Sequence, residues 1–260
     1  MILLVSDLHL GKDPATDQAS LSDLKTCIDS FSPELEHVVF LGDTFDAFIE
    51  YPGRIPRNVH LWTDMALNLQ ESGLRVSYYQ GNHDRWHSSH IENTLGIPVH
   101  RTSTVESHGG NQIWLEHGDR SVSNSWPTRW GRIISDHRLT FHLYTLGLPY
   151  GLGHRLAAWV SRRFSNSDPD PETAKQMHDH ALSVLKSHRA HLVVMGHCHQ
   201  ASLTHSPDGV YANTGDWYQS RTFLTVSDRI SLLKWTNTGS NLILEVDFSS
   251  RDNISGSSDV

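Results

Sequence analysis

At 260 residues, with 37% hydrophobic and 19% charged content, the chain is long enough to bury a full core as one α/β domain with an insertion, and its composition is ordinary for a soluble globular protein. A net charge of −8 argues against nucleic-acid binding as the main activity, and no run approaches the ~18 consecutive apolar residues of a membrane span. Two cysteines, Cys27 and Cys198, are too few for a disulfide framework or a structural zinc site.

The first element is the apolar run Met1-Ile2-Leu3-Leu4-Val5. It leads directly into Asp7-Leu8-His9, so it reads as a core strand; a signal peptide would be cleaved off together with those residues. A cytoplasmic protein is therefore expected. Leu21, Leu24, Ile28 and Phe31 recur at helical spacing and predict a helix from Ser20 to Phe31, with Cys27 buried on it. A strand over 37–41 ends at Gly42-Asp43. A second helix is predicted from Val59 to Ser72, with Leu61, Met65 and Leu69 on one face and Gly73 as its stop. A strand over 74–80 then delivers Gly81-Asn82-His83-Asp84. This strand and helix alternation predicts right-handed crossovers and a mostly parallel sheet.

Strand signals dominate afterwards, at 111–116, 191–195, 210–214, 221–227, 229–235 and 241–247, with Asp228 at a tight hairpin. Asp170-Pro171-Glu172 opens a helix whose Ala174, Met177, Ala181, Val184 and Leu185 share one face. Residues 121–168 break the rhythm and predict an inserted helical cap, two helices joined near Gly147–Gly153. Trp126, Trp130, Phe141, Tyr144, Tyr150, Trp159 and Phe164 lie here among arginines. From Arg120 to Arg163 there are seven Arg, no Lys and one acid, Asp136, which points to an anion-facing surface. The tail over 249–260 has no periodicity and reads as disordered. The domain proper is thus expected over 1–248.

The chemistry sits where apolar runs end. Ile2–Val5, His37–Leu41, Leu74–Tyr79, Gln112–Leu115 and His191–Met195 lead into Asp7-Leu8-His9, Gly42-Asp43, Gly81-Asn82-His83-Asp84, His117-Gly118-Asp119 and Gly196-His197-Cys198-His199. Strands that end together would bring Asp7, His9, Asp43, Asn82, His117, His197 and His199 to one rim. That set suits two divalent metals sharing one carboxylate, with Asp43 the natural bridge, and such a pair serves phosphate-ester hydrolysis. Mixed oxygen and nitrogen donors suit Mn²⁺, Fe or Zn²⁺, with Mn²⁺ the first expectation. Cys198, between two histidines of a strand-like segment, points away from the metals. Asp84 and Asp119 read as supports of the ligands.

The order D-x-H, G-D-x-x-D, G-N-H-D, H-G-D and G-H-x-H, from Asp7 to His199, resembles the calcineurin-like metallophosphoesterases. The resemblance implies a four-layer αββα sandwich, two mixed sheets packed face to face and flanked by helices. It implies that Asp7, His9, Asp43 and His199 hold one metal, and that Asp43, Asn82, His117 and His197 hold the other. His83 takes the position of the family's non-ligand histidine, which protonates the leaving group or binds the phosphate. Asp46 would orient it, and an Asp–His pair is expected to raise the imidazole pKa. In-line attack on phosphorus without a covalent enzyme intermediate follows from the same resemblance.

Within that family, the single-domain length, the H-G-D block and the basic aromatic insertion are similar to the UDP-2,3-diacylglucosamine pyrophosphohydrolases of lipid A biosynthesis. That similarity implies cleavage at the α-phosphate to UMP and 2,3-diacylglucosamine 1-phosphate, with the nucleotide-linked glycolipid as partner. It also implies peripheral contact of the cap with the inner face of the cell membrane. Asn82 and Arg85 are the expected substrate-binding residues. One position departs from that branch: an Arg follows the Asn there, where this chain has His83.

The insertion has two readings. Its apolar side chains form an acyl groove while its arginines meet pyrophosphate or lipid headgroups. In the other, Trp126, Trp130 and Trp159 pack the cap onto the core, with Arg129, Arg132, Arg155, Arg162 and Arg163 solvated. Two further functions stay open: a phosphodiesterase or phosphatase for a soluble nucleotide or other phosphoester, and a non-catalytic scaffold, which the complete residue set disfavours.

Overall fold

Strands that lie between two layers must be apolar on both faces, and the early runs of this chain meet that requirement. The computed structural model describes residues 1–87, 89–122, 137–164 and 171–248. In it β1 (Ile2–Val5), β2 (His37–Leu41), β3 (Arg75–Tyr79) and β4 (Val99–His100) run parallel. Antiparallel β10 (Thr222–Val226), β11 (Arg229–Thr236) and β12 (Gly239–Asp247) extend them into a seven-stranded sheet, ordered β12-β11-β10-β1-β2-β3-β4. The second sheet holds β5 (Thr104–His108), β6 (Asn111–Leu115), β7 (Leu192–Met195), β8 (Ser202–Ser206) and β9 (Gly209–Asn213), ordered β5-β6-β7-β9-β8.

Side-chain alternation sorts each strand between cores. Leu3 and Val5 of β1 face a core shared with α1 (Asp17–Asp29), α2 (Arg57–Glu71) and α3 (His90–Leu95). Ile2 and Leu4 point the other way, into the core between the sheets, where they join Val39, Leu41, Leu192, Val194, Leu224 and Leu232. Met177, Ala181, Val184 and Leu185 of α6 (Pro171–Lys186) cover the outer face of the second sheet, against Trp114, Val193 and Tyr211. Helix, sheet, sheet and helix make the four-layer αββα sandwich.

The elements expected from periodicity are present, with α1 beginning at Asp17, ahead of the expected Ser20. Asp228 lies in the expected hairpin between β10 and β11. Four short elements were not anticipated: α3, β4, β5 and β8. β5 (Thr-Val-Glu-Ser-His) and β8 (Ser-Leu-Thr-His-Ser) are edge strands made largely of polar residues, and their pairing partners, not their own apolarity, hold them extended. The six-residue α3 is anchored by Glu50, whose carboxylate accepts from the backbone N–H of Ser89 and His90.

Between β6 and α6 stand two helices, α4 (Arg138–Gly147) and α5 (Tyr150–Phe164), tied by a hydrogen bond from Tyr144 Oη to Gly153 O of 2.7 Å. They dock through rings: Trp86 against Tyr144 at 4.7 Å between centroids, and Tyr51 against Tyr150 at 5.5 Å. Trp159 is 61% exposed, so it does not pack the cap onto the core. Leu143 and Leu146 are also exposed, at 63% and 82%. Trp126, Arg129, Trp130, Arg132, Asp168, Asp170 and the tail over 249–260 lie outside the described residues, as do the side chains of Arg162, Arg163 and Phe164. No helix among the described residues is long and apolar enough to cross a membrane. Cys27 and Cys198 are both buried free thiols.

Candidate metal and catalytic site

Parallel strands leave their C-terminal ends on one rim, and the loops that follow are stitched together there. Asp7 N–H donates to Gly42 O and His9 N–H to Asp43 O, both at 3.0 Å, so the β1–β2 ladder continues into the two loops. Gly196 N–H donates to His117 O at 3.0 Å in the second sheet, and Tyr218 N–H reaches across to Asp7 O at 3.1 Å. The turns are tight. Among the described residues, seven non-glycine positions have positive φ, and five of them are Asp7, His9, Asp43, His197 and His199. Left-handed backbone costs such residues on the order of 1–3 kcal/mol each, and concentrates where surrounding structure fixes a functional geometry. Gly42 lies in the same region, at φ 92°, and a Cβ there would overlap the His117 ring.

The two buried carboxylates divide their oxygens. Asp7 Oδ2 is held by the Ser6 hydroxyl and by His197 N–H at 3.0 Å, leaving Oδ1 facing two imidazoles. Oδ1 lies 3.1 Å from His199 Nε2 and 3.7 Å from His9 Nε2, and the two nitrogens are 3.2 Å apart. Asp43 Oδ1 accepts from His83 N–H at 2.8 Å, leaving Oδ2 3.3 Å from His117 Nε2. Asn82 Oδ1 is 3.3 Å from the same nitrogen, and His197 completes this group. The seven expected ligands thus converge as Asp7, His9 and His199 on one side and Asp43, Asn82, His117 and His197 on the other. Asp43 joins the second group directly and meets the first through the loop backbone.

These donor sets fit divalent ions. His117 Nδ1–H is directed at Leu41 O, 2.9 Å away, so in its neutral, metal-binding form the ring would turn an Nε2 lone pair toward two oxygen acceptors. Three acceptors facing one another require positive charge between them, and separations near 3.3 Å are what bonds of about 2.0–2.2 Å to one ion impose. The protonation balance reflects the same demand. Burial disfavours the His117 cation, yet Asp43 and then Asp7 hold its pKa well above the usual imidazole range. His199 is raised likewise, against burial, by Asp7. Burial works to raise both carboxylates, but His199 brings Asp7 down to about 2, and His117 with His83 holds Asp43 well below the carboxylate range.

His83 corrects an expectation. Its pKa is lowered, not raised, because burial outweighs the attraction of Asp43 and Asp46. Asp46 Oδ1 is 3.6 Å from His83 Nδ1 and 3.4 Å from His9 Nδ1, so it stands between two imidazoles and hydrogen-bonds neither. The partner of His83 Nδ1 is Ser161 Oγ of the cap, at 3.1 Å. The Arg85 guanidinium pairs with Asp119 at the rim. Asp84 is buried and accepts from Gly81 N–H at 2.6 Å, Thr44 N–H at 2.9 Å and Tyr78 Oη at 2.7 Å. Burial, then Asp43, raises its pKa to about 6.

Several residues that brace the site lie outside the metal-ligand motifs. Ser6 and Thr214 stand behind Asp7, their hydroxyls 2.7 Å apart. Asn213 donates to Gly196 O at 2.7 Å and so braces the turn before His197. Tyr218 sets its ring against His9 at 6.2 Å between centroids. Ser6 is adjacent to Asp7, and Asn213 lies near the end of the strand predicted over 210–214, so position hinted at both. Nothing in the sequence pointed to Ser161.

The profile of the calcineurin-like phosphoesterase family matches residues 1–201. A UDP-2,3-diacylglucosamine hydrolase of Porphyromonas gingivalis is 29% identical over 164 residues, which is 58% of this chain and 61% of that relative. The chain therefore matches less than two thirds of that relative's length. A protein of the same name from Pseudomonas savastanoi pv. phaseolicola is 26% identical over 243 residues, 88% of this chain and 93% of the relative. Among solved structures, Yfce, a phosphoesterase from E. coli, is 16% identical and covers 95% of this chain and 98% of its own, with a TM-score of 0.48.

Proposed function

We propose that this chain, a metal-dependent phosphoesterase that belongs to the calcineurin-like phosphoesterase family, cleaves the pyrophosphate of a UDP-2,3-diacylglucosamine-type glycolipid. The observation that carries this reading is the capped site. Helix α5 reaches His83 with one face while Leu152, Leu156, Trp159 and Val160 lie exposed on its others, so one element borders both the chemistry and an apolar surface. The names of the relatives from Porphyromonas and Pseudomonas support the same substrate class. The acyl chains would lie along the cap, whose apolar face would touch the cytoplasmic surface of the membrane. The domain is read as residues 1–248 with the cap at about 121–168.

Asp7, His9, Asp43 and His199 would hold one divalent ion, and Asp43, Asn82, His117 and His197 the second, Mn²⁺ being the first choice. When bound, the two ions supply an activated water and neutralise charge at the phosphoryl oxygens. Asn82 and Arg85 orient the phosphate, and Asp119 holds the guanidinium in place. His83 stands with Nε2 4.0 Å from Asp43 Oδ2, on the metal-facing side, where it would give a proton to the leaving oxygen. Asp46 supplies negative charge to both His83 and His9. The α-phosphorus gains the water oxygen, its bond to the bridging oxygen breaks, and UMP leaves with 2,3-diacylglucosamine 1-phosphate.

A second reading, a phosphodiesterase or phosphatase for a soluble nucleotide or other phosphoester, is favoured by His83, the residue of the wider family. Incubation with UDP-2,3-diacylglucosamine and Mn²⁺ in detergent, with products identified by mass spectrometry, decides between them. UMP and the diacyl sugar phosphate are expected, abolished by a chelator and restored by Mn²⁺, with a loss of about 10²-fold or more in His83→Ala. No turnover of the lipid, with a generic phosphodiester still cleaved, would sink the substrate and leave the second reading.

A further inference from the structure

His83 is held at its far nitrogen by a residue from outside the sandwich. Ser161 Oγ, on α5, lies 3.1 Å from Nδ1, while the nearest carboxylate oxygen, Asp46 Oδ1, lies 3.6 Å away. That oxygen is buried without a hydrogen-bond partner among the described residues and is nearer to His9 Nδ1. The carboxylate therefore contributes charge to two imidazoles, and the directional bond to His83 comes from the cap.

We propose that Ser161 is a positioning residue for His83, and that seating of α5 on the core couples cap position to proton donation. The proposal rests on the reading of His83 as the proton donor. In the tautomer that donates Nδ1–H to Ser161 Oγ, the contact holds the ring with Nε2 toward Asp43 Oδ2, 4.0 Å away. When Nε2 passes its proton to the leaving oxygen, the second ring proton stays on Nδ1 in its bond to Ser161.

The seat of α5 is built for close approach. Tyr51 packs on Tyr150 and on His154, with centroids 5.5 and 5.8 Å apart, and Gly153 lies directly over its hydroxyl. A Cβ at 153 would overlap Tyr51 Oη, so only glycine lets the helix come this near. Ser161 follows about two turns on, so a shift of the seat is carried by the helix to His83.

The test compares two aryl phosphodiesters, one with a 4-nitrophenyl and one with a phenyl leaving group, on the Mn²⁺-loaded enzyme. General acid catalysis matters most for the poor leaving group, so His83→Ala is expected to lose about 10²-fold or more in kcat on the phenyl ester and much less on the other. Ser161→Ala is expected to lose about tenfold on the phenyl ester and about twofold on the nitrophenyl ester, with KM little changed. Ser161→Thr, which keeps the hydroxyl, should recover most of that loss. Ser161→Ala should add nothing in the His83→Ala background. Gly153→Ala, which lifts α5 from Tyr51, should reproduce the leaving-group-dependent loss. Equal losses on both esters, or an additive loss in the His83→Ala background, would overturn the role of Ser161. A Gly153→Ala enzyme with parental rates on both esters would overturn the coupling to the cap. If His83→Ala itself shows no leaving-group dependence, the proton-donor reading fails first, and Ser161 with it.

Discussion

Asp7 and Asp43 each give one oxygen to the protein and keep one for the imidazoles, and the side chains that hold the first oxygen set the aim of the second. Ser6→Ala removes the hydroxyl on Asp7 Oδ2 and leaves His197 N–H as its remaining support. Loss of such a support typically lowers metal affinity about 10–100-fold, and we expect a loss near the lower end. Chelator competition measures it; an affinity equal to the parent's would show that the backbone contact suffices. The cysteines lie at the opposite extreme of reactivity. Burial pushes the Cys27 thiol up to about 12 and the Cys198 thiol to about 11, so almost no thiolate forms near neutral pH. A thiol reagent at pH 8 should leave both unmodified in the native protein and label both after denaturation. Native labelling of Cys198 would mean that the segment between His197 and His199 opens.

At the scale of elements, the parallel pair β2 and β3 carries a titration the rest of the sheet must bear. Arg75 donates to His37 Nδ1 at 2.7 Å, leaving Nε2–H to donate to Ser77 Oγ at 2.8 Å. Burial, then Arg75, pushes the His37 pKa down to about 3. A histidine whose folded pKa lies below its unfolded value binds its proton more readily when unfolded. Its contribution is therefore complete above pH ~6.5 and is lost as pH falls toward 3, at about 1.4 kcal/mol per pH unit. Urea denaturation between pH 7 and 4 should show stability falling with pH, and His37→Gln should flatten the slope. A slope identical to the parent's would show that His37 titrates alike in both states. His87, packed on Phe48 and Tyr78 and pushed by burial to about 3, adds to the same slope. Strands β1 and β2 were legible because both their faces are mostly apolar, and β3 because of its Val76, Tyr78 and Tyr79; β5 and β8 were not, since edge strands owe their extended form to a neighbour.

At the scale of the molecule, a net charge of −8 coexists with an insertion rich in arginine and an apolar face that the described structure leaves uncovered. Leu143 and Leu146 are three residues apart on α4 and both more than half exposed. If that face meets a membrane, Leu143→Glu and Leu146→Glu should each weaken partition into anionic lipid vesicles about tenfold, since a buried leucine contributes roughly 1.5–3 kcal/mol. Sedimentation with vesicles reads this directly, and partition equal to the parent's would remove the membrane from the proposal. The cap also marks where periodicity stopped being informative. The break in strand rhythm predicted two helices, but it could not tell a helix face that docks on a core from one left exposed.

The sequence by itself determined the order of the main strands and helices, an α/β domain, and which residues stand at strand ends, and the motif resemblance added the αββα class. Apolar alternation and metal-type side chains are local properties, and parallel strands must end on one rim. Tertiary structure alone decided the site's finer balance. It set His83 below the ordinary imidazole pKa, held Asp46 beyond hydrogen-bond range of it, paired Arg85 with Asp119 and brought Ser161 to Nδ1. Burial and distance govern those outcomes, and both arise between segments far apart in the chain: Ser161 and His83 are separated by 78 positions and meet only because α5 seats on Tyr51.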